Sequence, residues 1–421
     1  MSETGRCQCL TIYLYILSWQ SMANKSLSIL VFSSLFPSET RKTAGLFVRE
    51  RMFRMREHAN ITVISPVPWF PGQGIIRLFY KGYRPMPAKM EIQDGVEVYF
   101  PRFLSFPYFF RSKDAAFMAW SVRKLVKNLV KKKGINIIDS HFSYPDGLAA
   151  TTLANELSIP STITMRGTEV PHANDQTKLP MLQRAWGQAS HVLAVAQSLK
   201  DVALVHGVEP EKVTVVGNGI DTEKFISLSK QKAKKNLGIQ PESPVLITVG
   251  GLVFRKGFHR VLDCLPKLKL QYPNIQYLIV GGPSLEGNIE EYLRSQTKRL
   301  GLEENVIFCG PQKPSELHKY LSAADVFVLP TANEGWANVL LESLACGTPV
   351  VATDVGGNKE VINSTSLGHI VPFDEKGALF NAIANSIEKS WDVNLLVAYA
   401  EQNHWRHRVQ HLKTIFERLV G

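Results

Sequence analysis

The stretch that most constrains this chain is residues 322–357, SAADVFVLPTANEGWANVLLESLACGTPVVATDVGG. An apolar run from Val326 to Leu329 ends at Pro330 and opens into a polar loop holding Glu334 and Gly335. Val339, Leu340, Leu341, Leu344 and Ala345 then recur at the i, i+3, i+4 spacing of one buried helical stripe. Gly347 stands where a left-handed glycine stops a helix, with Pro349 just beyond. The β-branched run Val350–Thr353 is a buried strand that ends in Gly356-Gly357. Strand, loop, helix, strand is half of an open parallel sheet.

Two carboxylates punctuate this unit. Were both helical, the eight residues between Glu334 and Glu342 would separate them by about 12 Å along the axis and roughly 80° around it. With Glu334 in the loop at the carboxyl edge of the sheet, both face one crevice, where open α/β sheets bind ligands. Free N–H groups of Gly335, Trp336, Ala337 and Asn338 start the helix and favour an anion. A ligand with a phosphate for the amides and hydroxyls for the carboxylates fits. On spacing alone, Glu334 reads equally as a first-turn glutamate favoured by the helix dipole, and Glu342 as a solvated helix residue.

The segment EGWANVLLESLACGTPVVATDVGG closely resembles the E-x7-E signature of the retaining family 4, or group 1, glycosyltransferases. The resemblance implies a GT-B fold: two Rossmann-like, doubly wound α/β domains facing across a cleft. It runs from about Leu27 to the end and is loosest between residues 66 and 135.

Length and composition agree. At 421 residues the chain has material for two cores. The expected division is an N-terminal acceptor domain over 22–222, a nucleotide-sugar domain over 223–390, and a C-terminal helix over 391–421 that returns to the first domain. Residues 1–21 read as an upstream extension, because MANKSLSILVFSSLFP from Met22 is a complete first strand. The apolar run Leu10–Trp19 is too short to span a membrane, and Arg6 is the one basic residue before it. Five scattered cysteines, with Cys7-x-Cys9 lacking any partner at metal spacing, indicate neither a zinc site nor a disulfide framework. A cytoplasmic protein is expected.

The net charge of +11 is concentrated: residues 71–133 hold thirteen Lys and Arg against four Asp and Glu, with twelve aromatic residues among them. Basic plus aromatic character fits an anionic membrane surface, or a solvated face over an aromatic core. No nucleic-acid motif accompanies it. The helix expected over 114–133 buries Val122, Leu125, Val126, Leu129 and Val130 and keeps Lys124, Lys127, Lys131 and Lys132 off that stripe. The segment Pro66–Pro107 reads as loop with one hairpin around Asp94-Gly95.

Other elements carry the resemblance into the expected site. Gly45, in the loop after the strand Leu27–Phe32, matches a family glycine beside the donor diphosphate, where a missing Cβ permits close approach. His141 ends a strand within SHFSYPDGLAA, at the crevice, as a catalytic candidate able to shuttle a proton near neutrality. MRGTEV departs from the H-G-x-D of many relatives, with Arg166 for histidine and Glu169 for aspartate. VTVVGNGIDTEKF resembles the N-G-[IV]-D-x-x-x-F element that closes the first domain. In GLVFRKGFHRVL, Arg255 and Lys256 beside a helix N-terminus form a diphosphate clamp, while Gly250-Gly251 stands where relatives often have G-R.

The resemblance thus implies retaining, metal-independent transfer from a nucleotide-diphosphate sugar to a glycan or polyprenyl-linked acceptor, in surface polysaccharide biosynthesis, without a cofactor or a D-x-D metal motif. Glu334 would bind sugar hydroxyls near the anomeric carbon and Glu342 the ribose; His141 would present the acceptor. The enzyme would sit peripherally on the inner face of the membrane. A nucleotide-sugar epimerase of the same architecture and a non-catalytic glycan-binding protein are the alternatives. A dinucleotide oxidoreductase is excluded at the first strand, where SSLFPSETRKTAG lacks G-x-G-x-x-G.

Overall fold

The computed structural model describes residues 26–421 apart from 80–82, 107–110, 285 and 376. Residues 1–21 with Leu10–Trp19, Cys7 and Cys9, and the aromatic residues Tyr80, Tyr108, Phe109 and Phe110, lie outside the described residues.

Two open sheets organise the chain. The first has eight strands in the order Val213–Val215, His191–Ala194, Ser161–Met165, Ile137–His141, Ser28–Phe32, Asn60–Ile64, Val96–Tyr99, Met90–Gln93. Every neighbouring pair is parallel except the hairpin of Met90–Gln93 with Val96–Tyr99. The second has six parallel strands: Val306–Gly310, Gln276–Val280, Val245–Val249, Val326–Leu329, Val350–Thr353, Gly368–Val371. Central strands such as Ser28–Phe32, Ile137–His141, Ser161–Met165 and Val326–Leu329 are buried along their whole length. Helices cover both faces, so these strands read as continuous apolar runs rather than alternating ones.

Each sheet reverses its winding at one point, between Ser28–Phe32 and Ile137–His141 in the first and between Val245–Val249 and Val326–Leu329 in the second. Crevices open at the carboxyl ends of strands at such points. The loops carrying Gly45, Arg255-Lys256 and Glu334 therefore all leave strands that flank a switch point.

Four apolar cores fill the two layers on each sheet. The last helix, Trp405–Val420, follows the second sheet in sequence but buries Val409, Leu412, Ile415 and Phe416 against Ile29, Val31 and Met52 of the first. The helix before it, Val393–Gln402, stays with the second sheet and packs on Asn338–Ala345.

The segment 66–107 holds more regular structure than its proline and glycine content predicts. Beside the hairpin it forms a parallel pair, Val67–Trp69 with Arg102–Leu104, and a short helix, Gln73–Phe79. That helix is seven residues long, follows Pro71-Gly72 and contains Gly74, so breaker residues mask its i, i+3, i+4 apolar spacing; Ile75, Leu78 and Phe79 are exposed. The helix Asp114–Lys133 is present as read and ends on Gly134 in the left-handed region, at φ 62°.

Candidate functional site

Between the sheets lies a cleft of about 530 Å³, lined by Leu35, Arg41, Gly45 and Phe47 on one side and by Gly250, Gly251, Gly282, Ser284, Pro311 and Gln312 on the other. A hollow of about 220 Å³ shares Phe47, Gln312 and Leu317 with it and contains Glu50, Lys224, Asn338 and Glu342. Gly45 shapes the wall: its φ is +65°, and a Cβ there would stand 2.1 Å from the Leu35 carbonyl oxygen. The helix Leu46–Arg54 starts directly behind it.

The charged centre is Glu334. Its carboxylate pairs with Lys256 Nζ, lies 3.2 Å from Arg255 Nη1 and accepts from Thr331 Oγ1 at 3.4 Å. Arg255 also donates from Nε and Nη2 to Glu286, at 2.9 and 2.7 Å, and from Nη1 to the Asn333 carbonyl at 2.8 Å. The hydrogen bonds to Glu286, then the nearby Glu334 charge, raise the Arg255 guanidinium above its ordinary value. Gly251 has no room for a larger residue, because a Cβ there would meet Ser284 Cβ at 2.9 Å. The glycine-rich loop that supplies Glu286 thus fills the space beside Gly251.

The amide groups of Gly335, Trp336, Ala337 and Asn338 donate to no acceptor among the described residues, and they lead into the helix Asn338–Ala345. Unbonded N–H groups at a helix start, next to two cations, have the chemistry that suits an anion. Glu342, one turn further on, is half-buried, and its carboxyl group accepts no hydrogen bond from the described residues. Burial pushes its carboxyl up to about 7, against the pull of Lys224 and with a further push from Glu50. A carboxylate kept waiting in this way favours a ligand that brings hydroxyl donors.

The loop of Glu334 is seated on the first domain. A Cβ on Gly335 would lie 2.2 Å from the Arg166 carbonyl oxygen, and one on Gly167 would lie 3.0 Å from Gly335 Cα. The Trp336 ring wedges between Gly217 of the first domain and Gly357 of the second, where added Cβ atoms would come within 2.8 and 3.1 Å of it. It packs on a core of each domain. Trp336 is thus an interdomain wedge through its ring, while its amide is among those unbonded groups.

His141 is fully buried, which the sequence did not indicate. Its Nδ1 meets Arg166 Nε and Nη2 at 3.3 and 3.0 Å, and its Nε2 lies 3.3 Å from Asp139 Oδ2. Burial lowers its imidazole to about 4 despite Asp139. Its side chain is buried against Arg166 and stays neutral near pH 7, a setting unlike the near-neutral proton shuttle expected at the crevice. Arg166 instead reaches the interface: it donates from Nη1 to Asn218 Oδ1 at 2.8 Å and lies over the Phe47 ring at 5.1 Å. Buried Glu169 holds this turn by accepting from the amides of Arg166, Gly167 and Ser143 at 2.9–3.0 Å. A carboxylate at that place therefore ties the turn rather than facing the cleft.

Sequence reasoning passed over Glu286, Glu360 and the side chain of Asn218. Glu360, in the second domain, accepts from the amide of Gln197 at 2.7 and 2.8 Å and so caps the helix Gln197–Val205 of the first. Only the N-G pair at 218–219 carried any signal, and that signal reads as a turn.

Known proteins share both the sequence pattern and the architecture. The family model for glycosyl transferases group 1 matches residues 229–403, and that for glycosyltransferase family 4 matches 76–224. The chain is 27% identical over 345 residues to a Bacillus subtilis protein named as the teichuronic acid biosynthesis glycosyltransferase TuaC, covering 79% of this chain and 82% of that one. It is 30% identical over 285 residues to an uncharacterized glycosyltransferase of Methanocaldococcus jannaschii, covering 64% and 70%. Among solved structures it resembles Anabaena HepE in complex with UDP, with TM-score 0.69 and 21% identity over 92% of this chain and 98% of that one. Sucrose-phosphate synthase from Thermosynechococcus elongatus gives TM-score 0.72 at 18% identity, over 94% and 99%. With its two switch-point crevices facing one cleft and its Glu334 loop at their junction, the chain belongs to the group 1, family 4 glycosyltransferases of GT-B fold.

Proposed function

We propose that this glycosyltransferase moves a sugar, with retention of configuration and without a metal ion, from a nucleotide-diphosphate donor to a glycan or polyprenyl-linked acceptor in surface polysaccharide assembly. The observation that carries the reading is the meeting of Glu334, Arg255, Lys256 and the unbonded amides 335–338 at one cleft edge. In this reading the second domain (223–390) holds the donor and the first (22–222) presents the acceptor.

The bond from the anomeric carbon to the β-phosphate oxygen breaks, an acceptor hydroxyl oxygen takes its place on the same face, and the hydroxyl proton ends on the released diphosphate. Arg255, Lys256 and the amides neutralise the charge that develops on the diphosphate; preorganised stabilisation of this kind is commonly what lowers a barrier most. Glu334, held by both cations, accepts from sugar hydroxyls. Glu342 accepts from the ribose in the adjoining hollow. Gly45 lets the backbone reach the diphosphate. His141 acts as a positioning residue by supporting Arg166. The donor class is supported by HepE, solved with UDP, and the polysaccharide setting by TuaC, named for teichuronic acid biosynthesis.

A thermal-shift panel of UDP, GDP, ADP and TDP, with and without magnesium, tests the donor site, since a ligand of the native state raises the melting temperature. One nucleotide should shift strongly without metal. A flat panel would transfer the fold to a non-catalytic role. The anomeric configuration of the product, read by NMR, tests retention.

A further inference from the structure

The first domain carries two exposed stripes that the cleft does not use. On the helix Gln73–Phe79, Ile75, Leu78 and Phe79 are 63%, 77% and 79% exposed at i, i+3, i+4 spacing, so three large apolar side chains share one solvent face. On the helix Asp114–Lys133, Trp120 is 70% exposed and is followed on the same face by exposed Lys124, Lys127 and Lys131. That helix has no acidic residue after Asp114. Lys124, Lys127 and Lys131 form no ion pair among the described residues, whereas Arg123 and Lys133 are taken by Glu156 and Glu97. The two helices are linked through Arg84. Arg77 donates to the Arg84 carbonyl at 2.8 Å, and Arg84 donates to the Ser105 carbonyl at 2.9 Å, beside the N-terminal end of the long helix.

We propose that Ile75, Leu78, Phe79 and Trp120, with Lys124, Lys127 and Lys131, dock this protein on the surface of an anionic lipid bilayer. Burial of apolar side chains in water alone would have drawn them into a core; a cluster of large apolar side chains left on a charged face is stable when a partner covers it. The partner must be apolar beneath a negative surface, which a bilayer with anionic headgroups is. A tryptophan beside lysines suits the headgroup level, where the indole bridges apolar and polar zones. A second copy of the chain would bring the same positive charge to the contact. No helix among the described residues is long and apolar enough to cross a membrane, so the contact is with the surface. The proposal does not rest on the donor reading, because docking is measured without turnover.

The test is co-sedimentation of the full chain with vesicles of phosphatidylcholine alone and of phosphatidylcholine mixed with phosphatidylglycerol. Partitioning should strongly favour the anionic vesicles and fall as salt rises. The triple variant Lys124→Gln/Lys127→Gln/Lys131→Gln should lower it about a hundredfold, at about fivefold per lysine. Leu78→Ser/Phe79→Ser should lower it about tenfold or more. Both variants should melt with the parent, since the altered side chains are exposed. Equal partitioning on the two vesicles, or variants that bind like the parent, overturns the proposal. So does a nucleic acid that depends on the three lysines while vesicle binding does not, or a dimer in light scattering that Leu78→Ser/Phe79→Ser dissociates.

Discussion

Asn218 of the first domain donates from Nδ2 to Oδ1 of Asn338 at the start of the second domain's site helix, at 2.9 Å. The same Asn218 accepts from Arg166 Nη1, so a hydrogen-bonded chain runs from buried His141 through Arg166 and Asn218 to the proposed anion site. If this chain sets the closed cleft, Asn218→Ala and Asn338→Ala should each lower kcat/KM and should not add. A double-mutant cycle in steady-state kinetics should give a coupling of about 1 kcal/mol.

Gly335 touches the Arg166 carbonyl with no space for a Cβ. Gly335→Ala should push the two domains apart while leaving both cores intact. The expected result is a loss of about a hundredfold or more in kcat/KM, as misplacement of reacting groups by an ångström produces. The radius of gyration in solution scattering should rise, and the melting temperature should hardly move.

Lys256 and Arg255 share Glu334, so Lys256→Ala leaves that carboxylate with one cation. Stability should change little. Transfer should fall by about a hundredfold to a thousandfold, the range for removing one donor that stabilises developing charge. Near-normal turnover in this variant would remove Lys256 from the site.

Glu342 supplies a pH signature. Burial raises its folded pKa to about 7, above that of an exposed glutamate in the unfolded chain. The stabilisation is complete below about pH 4 and is lost as the pH rises through 7, because the folded state resists ionisation. Glu342→Gln should therefore melt above the parent at pH 8 and with it at low pH, while donor affinity falls about tenfold through the lost acceptor. A thermal melt at both pH values, with and without nucleotide, checks both halves.

Much of the fold was legible because doubly covered parallel strands announce themselves as β-branched apolar runs. Val326–Leu329 and Val350–Thr353, with the helix and glycine stop between them, needed only local spacing. The helix Asp114–Lys133 was equally plain, since one face is buried and the other is lysine-rich. The helix Gln73–Phe79 was not, because it is short and its apolar spacing is masked by Pro71, Gly72 and Gly74.

Reading along the chain was enough to say which residue types stand after which strands: a glycine after the first, a cation pair after Val245–Val249, a glutamate after Val326–Leu329. Chain connectivity carries such groups to the carboxyl edges of the sheets whatever the details of packing. Their partners were settled by tertiary packing. Within the second domain Glu286 takes Arg255 from 31 residues away; across the docked domains Asn338 meets Asn218 over 120 residues, and Glu360 caps a helix 163 residues earlier. Within the first domain, the pairing of strands Ile137–His141 and Ser161–Met165 set His141 beneath Arg166. Contacts of that range arise when two folded surfaces meet, and local propensity holds no record of the surface on which a side chain will land.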